Sequence, residues 1–411
     1  MNVATQRQHA KTLFAQAGLP TKRNEHWKYT DVSHLSDMAQ TQSTAQTIQT
    51  PTTTLGIQNL DAYVLVFNNG AFVEALSSLP QGVDITSVAS LLAEENHKLT
   101  DLFTLSGEEP LFNGFLALNA ANAADGAAIC IKANTKLDKP LYIKHISNQN
   151  ITLRHGIYFE AFAEAEIIEH YLGVDDNAGL SNVSTNFILG TGAQCKHYRL
   201  QQEGSKQSHI GRVEVKQYQD SNYQMHAVEL GGALTRADIV VNLAEQGASC
   251  SLNGLYVLAG RQHVDHHTRI DHTAPHCTSH ENYRTVLDGR SHGVFNGKVV
   301  VHEGAIKTDS AQSNGNLLLS KHAQIDTKPE LEIYNDDVKC AHGATVGQLD
   351  DKQLFYLRSR GISEESAQEL LTFAFADAVL ASMRNEVVRR YVEQAAFAKL
   401  PHGEELEELL A

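Results

Sequence analysis

The stretch Lys321–Gly361, KHAQIDTKPELEIYNDDVKCAHGATVGQLDDKQLFYLRSRG, joins a long β-rich region to a helical tail. It holds three segments of alternating apolar and polar residues, a Cys-x-His pair (Cys340, His342) and a Gly-rich turn. Alternation with a period of two marks a half-buried strand, because successive side chains point to opposite faces. In that register Leu331 and Ile333, then Val338 and Cys340, turn to one side, and Cys340 and His342 share a face. A thiolate and an imidazole so placed can ligate one soft or borderline metal, or form a thiol–imidazole pair. Two donors do not complete a site, so the remaining ligands must come from elsewhere in the chain or from a partner. The competing reading is structural: an inert buried Cys beside a hydrogen-bonded His.

Upstream, from about 111 to 350, short β-rich runs recur between small-residue turns, with no convincing helix. The landmarks are Ala165, Ala193, Ala248, Ala274, Ala305, Ala323 and Ala344, and the steps 165 to 193, 193 to 248 and 248 to 305 fall near 28 residues or twice that. A repeating coil of this size, turned at a small residue, is the pattern of a β-solenoid with stacked parallel sheets. A β-sandwich or jelly roll is the rival, and it calls for hairpin loops every 8–12 residues, of which the region shows few.

The 411 residues, 42% of them hydrophobic, suffice for one large core or two to three smaller ones. A formal charge of −15 argues against nucleic-acid phosphates and anionic membranes as partners. The five cysteines are widely spaced with no C-x-x-C, which fits neither a disulfide framework nor a zinc ribbon and points to a reducing cytoplasm. The amino terminus lacks a signal-peptide core, and no run approaches a membrane span, so the expectation is a protein neither exported nor embedded.

In chain order, residues 3–17 have helical spacing that should stop at Gly18. Thr21–Asp31 (TKRNEHWKYTD) carries the only Trp and reads either as a recognition surface or as an aromatic anchor docking the terminus. Residues 40–54 are Thr/Gln-rich and read as a loop, Ala62–Val73 as a hairpin turning at Asn-Asn-Gly, and 86–96 as a helix. Phe115–Ile131 is expected to open the β region. The histidine-rich run Gln262–Tyr283 places His263, Asp265 and His267 on one strand face, with His276 or His280 within reach from the next coil. Its spacing matches no strong zinc pattern, and polar ladders are normal on a solenoid's outer face. Cys130, Cys195 and Cys250 lie in apolar alternation and read as core. Gly293, Gly297 and Lys298 do not make a phosphate loop. From the N-cap Ser363, an amphipathic helix carries Ala367, Leu370, Leu371, Ala374, Ala378, Met383 and Val387, and the chain ends in an acidic helical tail. A cap for the open solenoid end is the structural reading of that helix, and the aromatics Phe373, Phe375 and Tyr391 leave surface for a partner.

Pro329–Ser363, PELEIYNDDVKCAHGATVGQLDDKQLFYLRSRGIS, closely resembles the carboxy-terminal signature of the SufB/SufD family of iron–sulfur cluster assembly scaffolds. The HWKYT segment and Asp288–Ser320 resemble it too, so the likeness covers most of the chain and is strongest over 288–380. Within the family, the Cys340-Ala341-His342-Gly343 segment sets the chain on the SufD side, since SufB is acidic and thiol-poor there. The resemblance implies a mainly β fold, a right-handed parallel β-helix core with helical N- and C-terminal regions. The division expected is a 1–110 α/β region, a 111–355 core and a 356–411 helical domain.

The family likeness further implies a non-catalytic scaffold that pairs with SufB, binds the SufC ATPase and carries a transient iron–sulfur cluster at the SufB interface. His342 is the implied cluster and metal-binding residue, with Cys340 beside it, and Leu370, Leu371, Phe373 and Phe375 lie in the SufC-docking helix. Reduced flavin in the complex and a homodimer of the isolated chain are compatible with the family. Two other readings stand beside it: a carbohydrate-active or metal-dependent solenoid enzyme with its groups on one outer sheet, and a homodimeric binder of metal or flavin.

Overall fold

The computed structural model describes residues 3–40, 55–78, 80–88, 99–123 and 125–400. All but the first residue of the expected 40–54 loop, most of the helix expected over 86–96 and the acidic tail lie outside the described residues.

Helix α1 (Val3–Ala17) ends where the sequence places its stop: Gly18 adopts φ +63° and its N–H reaches Phe14 O at 2.8 Å. A short α2 (Ser36–Gln40) follows. Strands β1 (Tyr63–Asn68) and β2 (Ala71–Phe72) form the expected hairpin, with Asn69 and Gly70 both at positive φ as a primed turn requires. The expectation of unbroken β structure from 111 is corrected by α3 (Gly114–Asn122), capped by Asn113 accepting from the N–H groups of Phe115 and Leu116. The run FLALNAAN carries no charged face because α3 is buried against α1 and the solenoid wall, and even its Asn119 is buried, donating to Leu153 O and Asn182 O, so neither periodicity shows.

The body is a flattened parallel β-solenoid of about eight coils. After β3 (Val83–Ser87), one sheet takes β4 (Ala127–Ile131), β6 (Ile151–Phe159), β8 (Gly179–Leu189), β10 (Gln207–Gln217), β12 (Leu234–Leu243), β14 (His263–His272), β16 (His292–Val301) and β18 (Gln324–Ile333). The other takes β5 (Leu141–Ser147), β7 (Glu164–Gly173), β9 (Gln194–Gln202), β11 (Asn222–Glu229), β13 (Ser249–Leu258), β15 (Thr278–Leu287), β17 (Asp309–Leu318) and β19 (Lys339–Gly347). The N-terminal strands are built in as well: β1 pairs parallel with β5, and β3 antiparallel with β4.

One corner repeats in every coil. Asn134, Phe162, Gly192, Asp220, Gly247, His276 and Lys307 all take the left-handed conformation, and their N–H groups reach across to the neighbouring coil, as from His276 to Ile306 O at 2.9 Å. A small buried residue follows each of the later six: Ala163, Ala193, Ser221, Ala248, Cys277 and Thr308. Ala193 and Ala248 therefore mark the corner as the sequence suggests, whereas Ala165 sits two residues further on, inside β7.

The inward residues of both sheets form the main core, the carboxy-terminal helices cover the outer face of the β5–β19 sheet, and the N-terminal segment covers that of the β4–β18 sheet. The third segment of Lys321–Gly361 is not a strand. It is α4 (Asp351–Ser359), started by Asp350 accepting from Lys352 N–H, so the helical tail begins inside the span assigned to the core. α5 (Glu364–Leu380) starts at Ser363 as expected, its hydroxyl accepting from Ser366 N–H, but the helix stops before Met383 and a separate α6 (Glu386–Phe397) follows. Its phase also differs: Ala367, Thr372, Ala376 and Val379 are buried, while Ala374, Ala378 and Val387 are exposed. Among the described residues no helix is long and apolar enough to cross a membrane.

Candidate functional site

β18 and β19 are the last strands of their sheets, so the solenoid ends in a mouth with two unpaired strand edges. Pro329 in β18 is compatible with an edge, where a missing N–H breaks no ladder. In β19, Cys340 stands in register with Ser310 and His342 with Gln312, and both of those partners are buried while Ala311 between them and Ser313 after them are exposed. Cys340 and His342 thus share the inward face, as the alternation predicts. Leu331 and Val338 also pack on the core, but Ile333 is exposed because no further coil lies over it.

Cys340 is half-buried against the core, and burial, with the Asp309 carboxylate adding to it, pushes its thiol up. His342 is exposed at the mouth. Below Cys340 runs a chain of hydroxyls: Ser310 Oγ lies 2.9 Å from Ser279 Oγ, which lies 2.8 Å from His272 Nε2. Below His342, Gln312 Nε2 donates to Glu281 Oε2 at 2.6 Å. Burial pushes the Glu281 carboxyl up to about 7. Cys130, Cys195, Cys250 and Cys277 are all buried, and burial raises the thiols of Cys195, Cys250 and Cys277. One thiol and one imidazole at the mouth supply two soft-to-borderline donors, fewer than a metal site needs.

Deeper in the solenoid lies a polar network that sequence reasoning missed. Glu169 accepts from Thr185 Oγ1 at 2.6 Å and meets His197 Nε2 at 2.9 Å. Further along, Arg199 pairs with Glu229, Glu229 meets His266 at 3.0 Å, and Glu203 meets His209 at 2.8 Å. Ligand atoms of His145, His155 and Glu169 lie within 4.8 Å of one another, the spacing of a metal group. The hydrogen bonds argue against that use. Ala127 N–H donates to His155 Nδ1 at 2.9 Å, so the neutral ring carries its proton on Nε2 and offers no second lone pair.

The histidine run Gln262–Tyr283 is divided by the sheets. His263, Asp265 and His267 do share the outer face of β14, but His266 points into the lumen, His276 occupies a corner and His280 lies on the other sheet. The outer trio holds the N-terminal segment: Thr30 Oγ1 lies 2.8 Å from His263 Nε2 and also bonds Asp265, while Arg236 pairs with Asp265 and Asp238 and stacks 4.3 Å from the Trp27 ring. Trp27 is buried, which decides for the anchor over the recognition surface.

At the carboxy-terminal helices, Leu370 and Leu371 are half-buried, Phe373 packs against Phe397 in a tilted arrangement at 4.6 Å between centroids, and the Arg284 guanidinium lies 5.5 Å from the Phe375 ring. Both phenylalanines are therefore engaged within the chain. The apolar surface left open is on α4, where Phe355 is 74% and Tyr356 57% exposed. Their signal in the sequence is the aromatic pair of the QLFY run.

Two family models match: the SufBD core domain of the SUF system for FeS cluster assembly over residues 142–375, and the SufBD protein N-terminal region over 1–143. The chain belongs to the SufBD family. The iron–sulfur cluster assembly protein SufD of Escherichia coli is 32% identical over 403 residues, 96% of this chain and 92% of that protein. A SufBD-family iron–sulfur cluster assembly protein of Synechocystis is 32% identical over 92% of this chain and 87% of its own length. A chloroplastic Arabidopsis thaliana protein, ABCI7, is 26% identical over 90% and 80% respectively. Membership of the SufBD family does not support the reading of a carbohydrate-active or metal-dependent enzyme.

Proposed function

We propose that this SufBD-family chain is a SufD-type scaffold subunit without catalysis of its own, which completes an iron–sulfur cluster assembly site only when a SufB-type solenoid meets its open end. The observation that carries this reading is the mouth itself: two unpaired strand edges frame Cys340 and His342 on one inward face, with no complete ligand set beside them among the described residues. Unpaired edges invite strand pairing with another chain, and a ligand set divided across that contact makes cluster building depend on the complex. His342 is the cluster ligand, exposed to the partner. Cys340, packed on the core with its thiol raised, contributes less. The carboxy-terminal helices dock the SufC-type ATPase through Leu370, Leu371 and the partly open edges of Phe373 and Phe375. The five cysteines, none of them in a disulfide, suit a reducing cytoplasm.

Co-expression of this chain with SufB- and SufC-type subunits tests the reading. A stable three-component complex that builds clusters, and that keeps its composition but loses clusters with His342→Ala, is expected. No stable complex, or a wild-type cluster yield from His342→Ala, would overturn it.

A further inference from the structure

Gln312 sits one coil below His342, in register with it and on the same inward face. It is only 4% exposed, and the space it occupies exists because Gly297, on the facing sheet, has no side chain: a Cβ there would lie 2.0 Å from Gln312 Nε2. The Gln312 amide is oriented at one end, where Nε2 donates to Glu281 Oε2 at 2.6 Å. At the other end Oε1 has no hydrogen-bond partner. A buried amide oxygen left unpaired keeps the full cost of its lost hydration, so its retention calls for a partner.

An imidazole that ligates iron through one nitrogen must place the proton of its other nitrogen on an acceptor, and that acceptor fixes both tautomer and ring orientation. The nearest residue in the column beneath His342 supplies one. We propose that Gln312, held by Glu281, is the positioning residue for His342: Oε1 accepts the ring N–H and leaves the opposite nitrogen with a free lone pair facing the partner. This rests on the reading of His342 as a cluster ligand. Gln312 touches neither iron nor sulfide, and Glu281 acts only through Gln312. The arrangement divides the labour of the site along one column of the solenoid: His342 binds, Gln312 orients, and Glu281 fixes the amide.

The tautomer is measured directly on the full chain labelled with ¹⁵N-histidine, by two-bond ¹H–¹⁵N correlation, with His342 assigned by the signal lost in His342→Ala. The expected wild-type spectrum shows one dominant His342 tautomer. Gln312→Leu should give the mixed tautomers of a free imidazole, Gln312→Met the same if the leucine variant fails to fold, and Glu281→Gln, which keeps an acceptor for the Gln312 amide, should restore the wild-type pattern. In the co-expressed complex, Gln312→Leu should lower cluster yield about tenfold, the scale on which groups behind a metal ligand act, with subunit composition unchanged. An unaltered tautomer in both Gln312 variants overturns the proposal. A wild-type cluster yield from His342→Ala instead overturns the ligand reading while the tautomer measurement still decides the role of Gln312.

Discussion

His197 Nε2 lies 2.9 Å from Glu169 Oε2 with both side chains fully buried, two neighbouring coils being joined inside the solenoid by an imidazole–carboxylate contact. Burial alone would raise the Glu169 carboxyl, but the hydrogen bond and charge of His197, with the Thr185 hydroxyl, hold it well below the usual carboxylate range. His197 Nδ1 in turn lies 2.7 Å from the Tyr223 hydroxyl in the next coil, so the contact spans three coils. Such a network stabilises only while every member is paired.

Glu169→Ala should therefore be severe. It removes the acceptor of His197, Thr185 and Tyr171 together, and breaking a buried pair of this kind costs about 3–5 kcal/mol. Urea unfolding of the purified chain measures it, with Glu169→Gln expected to lose less. A loss below about 1 kcal/mol for the alanine variant would show that the lumen tolerates an unpaired His197.

Stability should fall on mild acidification. Burial lowers His170, His226, His263 and His272 to about 4, so between pH ~6.5 and ~4 the unfolded chain takes up protons that the folded chain refuses. Each such group contributes a slope of up to about 1.4 kcal/mol per pH unit across that window. Glu229, held at about 2, adds to the loss below ~4.5. Glu281, raised to about 7, works in the opposite direction from pH 7 down to ~4.5, one group against four. Urea midpoints at pH 7.5, 6 and 5 should decline in that order; a flat series contradicts neutral buried histidines.

At the mouth, His342→Ala should leave the partner complex assembled and lower its cluster content, whereas Cys340→Ala should have the smaller effect, because its thiol packs on the core. Iron and sulfide content of the purified complex reads both. A larger loss from Cys340→Ala would reverse the ranking.

The proposed ATPase docking is best tested without deleting helices. α5 and α6 bury Ala376, Val379, Leu380 and Val388 against Tyr198, Leu255 and Val257 of the solenoid, so removing 363–395 would uncover an apolar sheet face and confuse binding with folding. Paired substitution Phe355→Ser and Tyr356→Ser should leave the melting temperature within about 2 °C, since neither side chain is buried, and should weaken capture of a partner subunit. Leu370→Ser and Leu371→Ser should weaken ATPase capture. Undiminished capture of both subunits by all of these variants would move docking away from this end.

His267→Asn should leave iron content unchanged and loosen the N-terminal segment, because His267 serves Asp265, which anchors Thr30 and Arg236. Limited proteolysis near residues 20–35 should quicken. Loss of iron with no change in proteolysis would restore the metal reading of the histidine run.

Features decided by neighbouring residues are legible along the chain. The stop at Gly18, the turn at Asn69-Gly70, the N-cap Ser363 and the small corner residues Ala193 and Ala248 are each legible because φ preference, side-chain capping and corner size act within a few residues. The shared face of Cys340 and His342 follows from strand alternation in the same local way. Contacts that lie about a coil apart in sequence and one strand apart in space emerge only once the coils stack. Gln312 beneath His342, Glu169 against His197, and Trp27 under Arg236 depend on how coils and termini stack, and no local pattern encodes that register. α3 and α4 were misread for a related reason. One is buried on all sides and the other has no buried residue, so neither carries the two-sided periodicity by which a helix is recognised, and packing alone settled both.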